Sequence, residues 1–310
     1  MKILITCPPM LRLIDEFRPV FANKGIELVT PNVVQTLTED ELLELVHEVD
    51  GWIIGDDPAT ERVFAAGKNG RLKAAVKWGV GVDNVDFSAC KKLGIPVTNT
   101  PNMFGKEVAC LAVHYLIGLA RETYLIDRGV RVGKWPKPAG ISVAGRTVAL
   151  LGFGDIGKAT ARMLFAMGMH INVYDPYAIK TGKDEENYYF LDFPEELEIA
   201  DFVVITCALT PSTKHLINKD SIQLMKNGAR IVNVSRGPVM DENALVDGLK
   251  SGKVHSAALD VFENEPLLDS SELRGFERCI FGSHNGSNTI DAVRRASHQA
   301  IKLMFDFLKI

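Results

Sequence analysis

The sequence predicts an α/β protein of two domains, each built around a doubly wound parallel sheet. Two observations favour this fold. Short apolar runs, typical of buried parallel strands, alternate with helical patterns, and this alternation starts twice within the 310 residues. The length agrees, since one domain usually holds ~100–200 residues. We place the first domain at residues 1–100 together with 287–310, and the second at residues 101–286.

Each predicted strand is a short, continuous apolar run, as expected for strands covered by helices on both faces. In the first domain these runs are Ile3–Thr6, Glu27–Val29, Gly51–Ile54, Ala74–Trp78 and Val97–Asn99. In the second domain they are Val148–Leu151, Ile171–Tyr174, Phe202–Thr206, Arg230–Val234 and His255–Leu259. Both sets therefore predict parallel sheets.

Helical patterns fill the intervals between the strands. Thr38 is predicted to cap one helix, because acidic residues follow it in the first turn and an apolar face begins at Leu42. One long helix is predicted from Met103 to Arg128. An amphipathic helix from Asp291 to Leu308 is expected to return to the first domain. The charged run Lys180–Asn187 is predicted to be a solvated loop.

The composition limits the classes of partner. A net charge of −4 with no long basic run gives no electrostatic case for binding nucleic acid or an anionic membrane. No apolar stretch reaches the ~18 residues of a membrane helix, and the N-terminal run is unlike a signal peptide. The cysteines form no C-x-x-C pair, so we expect no metal site and a reducing, cytoplasmic environment. They are Cys7, Cys90, Cys110, Cys207 and Cys279.

A glycine pattern marks the start of the second domain's sheet. The run Gly152-Phe153-Gly154-Asp155-Ile156-Gly157 follows an apolar strand and opens a helical pattern, which is the context that a dinucleotide site requires. Gly152 would permit the tight turn, Gly154 the approach of a pyrophosphate, and Gly157 the close packing of helix on strand. The N-terminus of the helix offers N–H groups to the phosphates. We therefore predict a Rossmann domain.

Asp175 stands at the end of the next predicted strand, roughly 20 residues after the glycines, where such domains carry an acidic residue. Its carboxylate could accept hydrogen bonds from ribose hydroxyls and would repel a 2′-phosphate. The predicted cofactor is therefore NAD rather than NADP. The alternative interpretation is a structural turn that happens to end in an aspartate.

Three residues further along suggest acid–base chemistry on a small acid. Arg236 follows a buried strand, and its planar guanidinium matches a carboxylate. His284 lies in a loop rich in glycine and serine, and histidine is the side chain that titrates near neutral pH. Glu265 could orient the second ring nitrogen of that histidine. Taken singly, Arg236 could be a surface residue and His284 a structural one.

The six remaining histidines lie in helical or strand patterns and show no matching carboxylate partner in the sequence. We interpret them as structural or surface residues. They are His47, His114, His170, His215, His255 and His298.

Together these segments resemble the D-2-hydroxyacid dehydrogenase family, which includes D-3-phosphoglycerate dehydrogenase, over nearly the whole chain. The likeness is strongest in GRTVALLGFGDIGKATA, in LTPSTKHLINKDSIQLMKNGARIVNVSRGPVMDENALVDGLKSGKV and in ALDVFENEP. The segments KWGVGVDNVD and GIPVTNTPN look like the substrate loop of that family. The resemblance implies a flavodoxin-like catalytic domain beside the Rossmann domain, and an NAD-dependent oxidoreductase that interconverts a 2-oxo acid and a D-2-hydroxy acid.

The resemblance also implies individual roles. Arg236 would bind the substrate, Glu265 would tune the histidine, and His284 would be the acid/base. The cofactor would meet Asp155 and Ile156 at the pyrophosphate, Cys207 and Val234 along its length, and Asp260 at the nicotinamide. Backbone N–H groups of Val80 and Gly81 would hold the substrate carboxylate. The long helix after Met103 would help to build a homodimer.

Some features depart from the phosphoglycerate branch of the family. Those relatives usually carry an arginine in the loop that meets the substrate phosphate, where this chain has Gly55-Asp56-Asp57-Pro58. Two carboxylates would repel a phosphate, so 3-phosphoglycerate is not the expected substrate. Because the sequence ends at Ile310, we also expect a short form without a C-terminal regulatory domain.

Two alternative functions remain open. One is a non-catalytic NAD(H)-sensing protein like the corepressor relatives, and the other is a formate or phosphite dehydrogenase.

Overall fold

The computed structural model describes residues 1–310 and contains twelve strands and twelve α-helices. The strands are β1 (Lys2–Ile5), β2 (Glu27–Val29), β3 (Gly51–Ile54), β4 (Ala74–Lys77), β5 (Val97–Asn99), β6 (Thr147–Leu151), β7 (His170–Tyr174), β8 (Tyr189–Phe190), β9 (Phe202–Ile205), β10 (Ala229–Asn233), β11 (Val254–Leu259) and β12 (Ile280–Phe281). The helices are α1 (Pro8–Arg12), α2 (Ile14–Ala22), α3 (Glu39–Val46), α4 (Glu61–Asn69), α5 (Phe87–Leu93), α6 (Gly105–Arg121), α7 (Thr123–Arg131), α8 (Asp155–Ala166), α9 (Gly182–Asn187), α10 (Lys219–Leu224), α11 (Glu242–Ser251) and α12 (Ile290–Leu308).

The chain divides into two compact units, one of residues 1–103 with 288–310 and one of residues 104–287. The first unit holds a five-stranded sheet in the order β2-β1-β3-β4-β5, which is the flavodoxin-like order. All its strand pairs are parallel. Its core gathers apolar side chains such as Leu42, Trp52 and Phe64, each of them fully buried.

The second unit holds a seven-stranded parallel sheet in the order β12-β11-β10-β9-β6-β7-β8. Read from β8 to β11, this is the Rossmann strand order, and β12 extends it by one strand. The order reverses at β6, which lies between β7 and β9. In such sheets a ligand crevice opens at the carboxyl ends of the strands around this reversal. The predicted fold class is therefore confirmed for both units.

The predicted cap of α3 agrees with the structure, whereas the predicted extent of one long helix does not. Thr38 caps α3 in a capping box, in which its hydroxyl accepts from the N–H of Glu41 and the Glu41 carboxylate accepts from the N–H of Thr38. The single helix predicted from Met103 to Arg128 is wrong. The structure has α6 and α7, separated at Glu122, whose φ of 51° lies in the left-handed region.

The prediction of a loop over Lys180–Asn187 is also wrong. Those residues contain α9, which Thr181 caps in a box with Asp184. A short helix of charged residues has no apolar face to reveal it, so only its cap signals the helix. The strands β8 and β12 are two residues each, too short for a periodicity to be read. No helix combines the length and the apolar character needed to cross a membrane.

Candidate active site

The predicted site residues follow the carboxyl ends of six of the seven parallel strands of the second unit. The glycine loop follows β6, Asp175 follows β7 and Cys207 follows β9. Arg236 follows β10, Asp260 follows β11 and His284 follows β12. Because the strands are parallel, all six positions lie at one edge of the sheet. These residues are spread between positions 152 and 284 of the chain, and the parallel topology places them at one edge of the sheet.

The glycine loop has the shape that a dinucleotide needs. Gly152 has a φ of 95°, and a Cβ there would lie 2.6 Å from the backbone of Cys207. A Cβ at Gly157 would collide with the carbonyl of Gly152, so a side chain would push α8 off the turn. A Cβ at Gly154, which precedes α8, would meet nothing within 4 Å. The open space beside Gly154 and the first N–H groups of α8 together fit a pyrophosphate.

Asp175 is bound to the glycine loop itself. Its Oδ2 accepts from the N–H of Phe153 at 2.7 Å, and its Oδ1 accepts from the N–H of Tyr177 at 2.9 Å. An ionised carboxylate offers about four acceptor positions, so lone pairs remain for ribose hydroxyls. The carboxylate is therefore fixed in the place where it could contact a ribose.

Cys207 and Val234 line the same edge of the sheet. The hydroxyl of Ser235 donates to the carbonyl of Cys207, which joins the turns after β9 and β10. Burial raises the pKa of the Cys207 thiol to about 11, so the thiol stays protonated and acts as an apolar group at neutral pH. Val234 is almost fully buried.

Glu265 and His284 are in direct contact. His284 Nδ1 and Glu265 Oε2 lie 2.7 Å apart, and each side chain is 21% exposed. The second oxygen of Glu265 accepts from the N–H of Phe262 at 2.9 Å, which fixes the carboxylate within its own turn. A carboxylate held in this way fixes the orientation of the imidazole ring.

Asp260 holds the loop that carries His284. Its carboxylate is buried and accepts from the N–H groups of Asn285 at 3.1 Å and Gly286 at 2.8 Å. Its carbonyl accepts from the N–H of His284 at 2.6 Å. His284 has a φ of 54°, a left-handed conformation uncommon for a residue with a side chain, so this loop needs such support. The predicted contact of Asp260 with a nicotinamide stays a prediction.

Tyr115 is a site residue that the sequence did not reveal. It lies on α6, and its hydroxyl donates to Oδ1 of Asp260 at 3.4 Å. Burial, together with the charge of Asp260, raises the pKa of the Tyr115 hydroxyl far above its ordinary value, so it remains a donor. Nothing in the helical pattern distinguishes this tyrosine from a core residue, because its partner is 145 residues away.

The turn that presents Arg236 is built by Asn233, a fully buried residue at the end of β10. Its side-chain amide donates to the carbonyl of Arg236 at 3.0 Å, and its Oδ1 accepts from the N–H of Ser235 at 3.0 Å. A Cβ at the next residue, Gly237, would collide with the backbone of Phe262. The segment after Arg236 therefore packs directly against the segment that leads to Glu265.

Three of the histidines interpreted as having no carboxylate partner do have one. His47 Nε2 lies 3.9 Å from its exposed neighbour Glu48. His215 Nε2 lies 3.0 Å from Glu263, and His255 Nε2 lies 3.5 Å from Glu122. Burial, with Arg230 and Arg278 nearby, lowers the pKa of His255 to about 4. The prediction failed for His215 and His255 because Glu263 and Glu122 are far from them in the chain and share no pattern with them.

In the first unit, the acidic loop after β3 differs from its prediction. Asp57 is fully buried and accepts from the N–H groups of Leu37 at 2.9 Å and Gly55 at 3.0 Å, so it closes the loop from inside. Only Asp56 reaches the surface, with its side chain 38% exposed, and it pairs with buried Lys77 at 2.8 Å. The interpretation of two outward carboxylates is therefore wrong, because one of them serves as an internal acceptor.

Val80 and Gly81 lie in the loop between β4 and α5 of the first unit. Gly79, which precedes them, donates from its N–H to the hydroxyl of Thr100 at 2.9 Å, and Asn99 donates from its side chain to the carbonyl of Val80 at 3.1 Å. The loop is thus attached to the end of β5. The role of its N–H groups toward a substrate stays a prediction.

Comparison with known proteins agrees with this geometry. Residues 113–286 match the family model described as D-isomer specific 2-hydroxyacid dehydrogenase, NAD binding domain. The chain belongs to the D-2-hydroxyacid dehydrogenase family. It is an NAD-dependent oxidoreductase, and the matched region corresponds to the part of the second unit that carries the glycine loop, Arg236, Glu265 and His284.

Individual members of the D-2-hydroxyacid dehydrogenase family show how far the similarity extends. The chain is 37% identical over 279 residues to a hydroxypyruvate reductase of Thermotoga maritima, covering 88% of this chain and 90% of that one. It is 34% identical to a D-3-phosphoglycerate dehydrogenase of Methanocaldococcus jannaschii, covering 95% of this chain and 55% of the relative, so it spans about half of that protein. A D-lactate dehydrogenase of Aquifex aeolicus, solved with NAD and lactic acid, is 25% identical with a TM-score of 0.85, covering 100% and 96% of the two chains.

Proposed function

We propose that this protein interconverts a small 2-oxo acid and the corresponding D-2-hydroxy acid, with Arg236, Glu265 and His284 as its catalytic residues. The observation that carries the proposal is the 2.7 Å contact between His284 Nδ1 and Glu265 Oε2, in a turn that packs against the segment after Arg236. Histidine paired with a carboxylate is suited to move a proton near neutral pH.

Each residue would have a distinct task. NAD, when bound, supplies or accepts the hydride. Arg236 would bind the substrate carboxylate through its fork of donors. His284, engaged with Glu265 through Nδ1, would use Nε2 to give a proton to the carbonyl oxygen during reduction and to take it back during oxidation. Glu265 would stabilise the positive charge on the ring before the proton leaves. The N–H groups of Val80 and Gly81 are proposed as further donors to the substrate carboxylate.

The cofactor would be held mainly by backbone groups. The turn at Gly152, Gly154 and Gly157 leaves space for the pyrophosphate, and the N–H groups of Asp155 and Ile156 at the start of α8 would bind it. Asp175 would bind the adenosine ribose. Cys207 and Val234 would provide apolar contact, and Asp260 would lie near the nicotinamide while it supports the His284 loop.

We infer that the preferred substrates lack a phosphate group. The ammonium group beside the loop after β3 is that of Lys77, which is 2% exposed and already donates to Asp56 at 2.8 Å and to the carbonyl of Gly55 at 2.6 Å. The ammonium group of Lys77 is therefore engaged within the protein and is not accessible to a phosphate. Two relatives that the chain covers over 90% and 82% of their length, a hydroxypyruvate reductase and a glyoxylate reductase, are named for unphosphorylated acids. The chain covers only 55% of the D-3-phosphoglycerate dehydrogenase of Methanocaldococcus jannaschii.

The test is the oxidation of NADH by the purified protein with glyoxylate, hydroxypyruvate, pyruvate and 3-phosphohydroxypyruvate. We expect turnover with at least one of the first three acids and weaker turnover with the phosphorylated one. His284→Ala should lose the turnover of all of them. Absence of turnover with all four acids would contradict the proposal. Binding of NADH without turnover would then favour an NAD(H)-sensing protein, and reduction of NAD by formate or phosphite would favour those oxidations.

We also propose that the protein forms a homodimer through the segment that follows α6. Three large apolar side chains are exposed there, Val130 at 44%, Val132 at 70% and Trp135 at 76%. Helix α7 has no buried residue of its own. Such a patch is typical of an interface rather than of a free surface. Light scattering should give a mass near twice the 34.1 kDa of the chain, and Trp135→Glu should lower it.

A further inference from the structure

His215 links the segment after β9 to the segment after Arg236. Its N–H donates to the carbonyl of Pro238 at 2.8 Å. Two residues later, Ile217 and Met240 form an isolated parallel bridge. His215 has a φ of 51°, which a residue with a side chain adopts only where its surroundings hold it. The residues that directly follow Arg236 are therefore tied to a fixed neighbour.

The ring of His215 reaches a different segment. Its Nε2 lies 3.0 Å from Oε1 of Glu263, which stands two residues before Glu265. The two side chains are only partly exposed, at 40% and 28%. One histidine thus contacts the arginine segment through its backbone and the glutamate segment through its ring.

Glu242 and Glu263 add a reciprocal pair of hydrogen bonds between the same two segments. The N–H of Glu263 donates to Oε1 of Glu242 at 2.6 Å, and the N–H of Glu242 donates to Oε1 of Glu263 at 3.3 Å. Burial raises the pKa of Glu242, and the carboxylates of Glu263 and Glu265 add to the effect. Glu242 and Glu263 therefore bind each other's backbone across the two segments.

The position of Glu265 depends on this short turn. Its Oε1 accepts from the N–H of Phe262 at 2.9 Å, while its Oε2 contacts His284. Glu263 lies between these two ends of the turn, and Glu242 and His215 hold it from outside. A displacement of residues 262–265 would therefore change the position of the Glu265 carboxylate relative to the imidazole of His284.

We propose that His215, Glu242 and Glu263 form a positioning clamp. The clamp fixes the position of Glu265, and through it that of His284, relative to the segment that carries Arg236. None of the three is assigned a contact with substrate or cofactor. The effect of the clamp on turnover rests on the proposed function, whereas its effect on the geometry of His284 does not.

The experiment compares Glu263→Ala with Glu263→Gln and reads two signals. In Glu263→Gln the side-chain amide oxygen can still accept hydrogen bonds from His215 and from the N–H of Glu242, whereas alanine removes both. Protein labelled with nitrogen-15 in its histidines reports the ring nitrogens of His284, assigned by their absence in His284→Gln. Turnover reports kcat and the KM for NADH separately. Glu272→Ala removes an exposed carboxylate that pairs with surface Lys250, and it is the matched control.

For Glu263→Ala we expect displaced His284 ring signals and a fall in kcat of about 10–100-fold, since small misplacements of a reacting group cost that much, with the KM for NADH little changed. Glu263→Gln should keep both signals near those of the wild type. Unchanged His284 ring signals in Glu263→Ala would overturn the clamp. So would a displacement of these signals and a fall in kcat in Glu263→Gln as large as those in Glu263→Ala. If Glu263→Ala fails to fold, His215→Ala tests the same point with the carboxylate pair intact. A wild type without turnover would remove the proposed function, while the His284 signals would still decide the clamp.

Discussion

His284 and Glu265 stand 19 residues apart in the chain, yet His284 Nδ1 and Glu265 Oε2 lie 2.7 Å apart. Glu265→Gln should preserve a hydrogen-bond acceptor beside the ring and remove the charge that stabilises a protonated imidazole. We expect kcat to fall about 10²-fold, in the range that acid–base groups contribute. Steady-state kinetics measures this, with KM for NADH unchanged because the cofactor loop is untouched. A kcat near the wild-type value would mean that Glu265 does not support proton transfer.

The buried carboxylate of Asp260 should matter for both stability and turnover. In Asp260→Asn, an amide NH₂ would face one of the two N–H groups, of Asn285 or Gly286, that the carboxylate now accepts. We expect a loss of about 1–3 kcal/mol in the free energy of unfolding, the usual cost of an unsatisfied buried group, and a lower kcat. Tyr115→Phe removes only the longer 3.4 Å bond and should do less harm in urea unfolding. The reverse order would show that Tyr115, not Asp260, organises the loop.

Substitutions at two glycines of the cofactor loop should distinguish an effect on stability from an effect on NADH binding. Gly157→Ala places a methyl group against the carbonyl of Gly152, so it should destabilise the second unit and weaken NADH binding together. Gly154→Ala meets nothing within 4 Å and should leave the free energy of unfolding within about 0.5 kcal/mol of the wild type. Calorimetry of NADH binding should nevertheless show weaker affinity for Gly154→Ala, because the new methyl group occupies the space assigned to the pyrophosphate. Normal affinity would place the pyrophosphate elsewhere.

Cofactor choice should depend on the charge of Asp175 rather than on its shape. Asp175→Asn can keep an oxygen acceptor for the N–H of Phe153 and turn its amide toward the N–H of Tyr177, a bond at the exposed surface where water can replace the lost acceptor, so the loop should retain its conformation. Removing the negative charge should lessen the repulsion of a 2′-phosphate and raise kcat/KM with NADPH relative to NADH by about tenfold, the equivalent of ~1.4 kcal/mol. Kinetics with both cofactors tests this, and an unchanged ratio would assign the preference to another residue.

Glu242 should make stability depend on pH in a defined direction. Burial, followed by the charges of Glu263 and Glu265, raises its pKa above the ordinary value of 4.5. The folded protein therefore holds this proton more tightly than the unfolded chain, and stability is lost as the pH rises from 4.5 through the folded pKa. Glu242→Gln keeps an acceptor for the N–H of Glu263 and carries no charge, so its advantage over the wild type should grow with pH in urea unfolding. A constant difference between the two proteins would exclude this cause.

Features that neighbouring residues encode could be predicted from the sequence alone. The apolar runs predicted ten of the twelve strands to within a residue at each end, because buried parallel strands carry a continuous local signal. The capping box at Thr38 and the glycine turn after β6 are equally local. Arg236 could be named because it follows a predicted strand, whereas His284 was indicated by its loop of glycine and serine and Glu265 by its suitability as a partner for that histidine.

The pairing of polar groups from distant segments could not be predicted, because it depends on how those segments pack together. Asp57 is buried and accepts a hydrogen bond from the N–H of Leu37, and the ring of His215 contacts Glu263, which lies 48 residues away in the chain. The carboxylate of Asp260 accepts hydrogen bonds from the loop that carries His284. The end of α6 at Glu122 belongs to the same class, since no glycine or proline marks it. The physical reason is that an apolar periodicity specifies which face is buried, whereas a hydrogen bond depends on distances of a few tenths of an ångström that are fixed only when separate segments pack together.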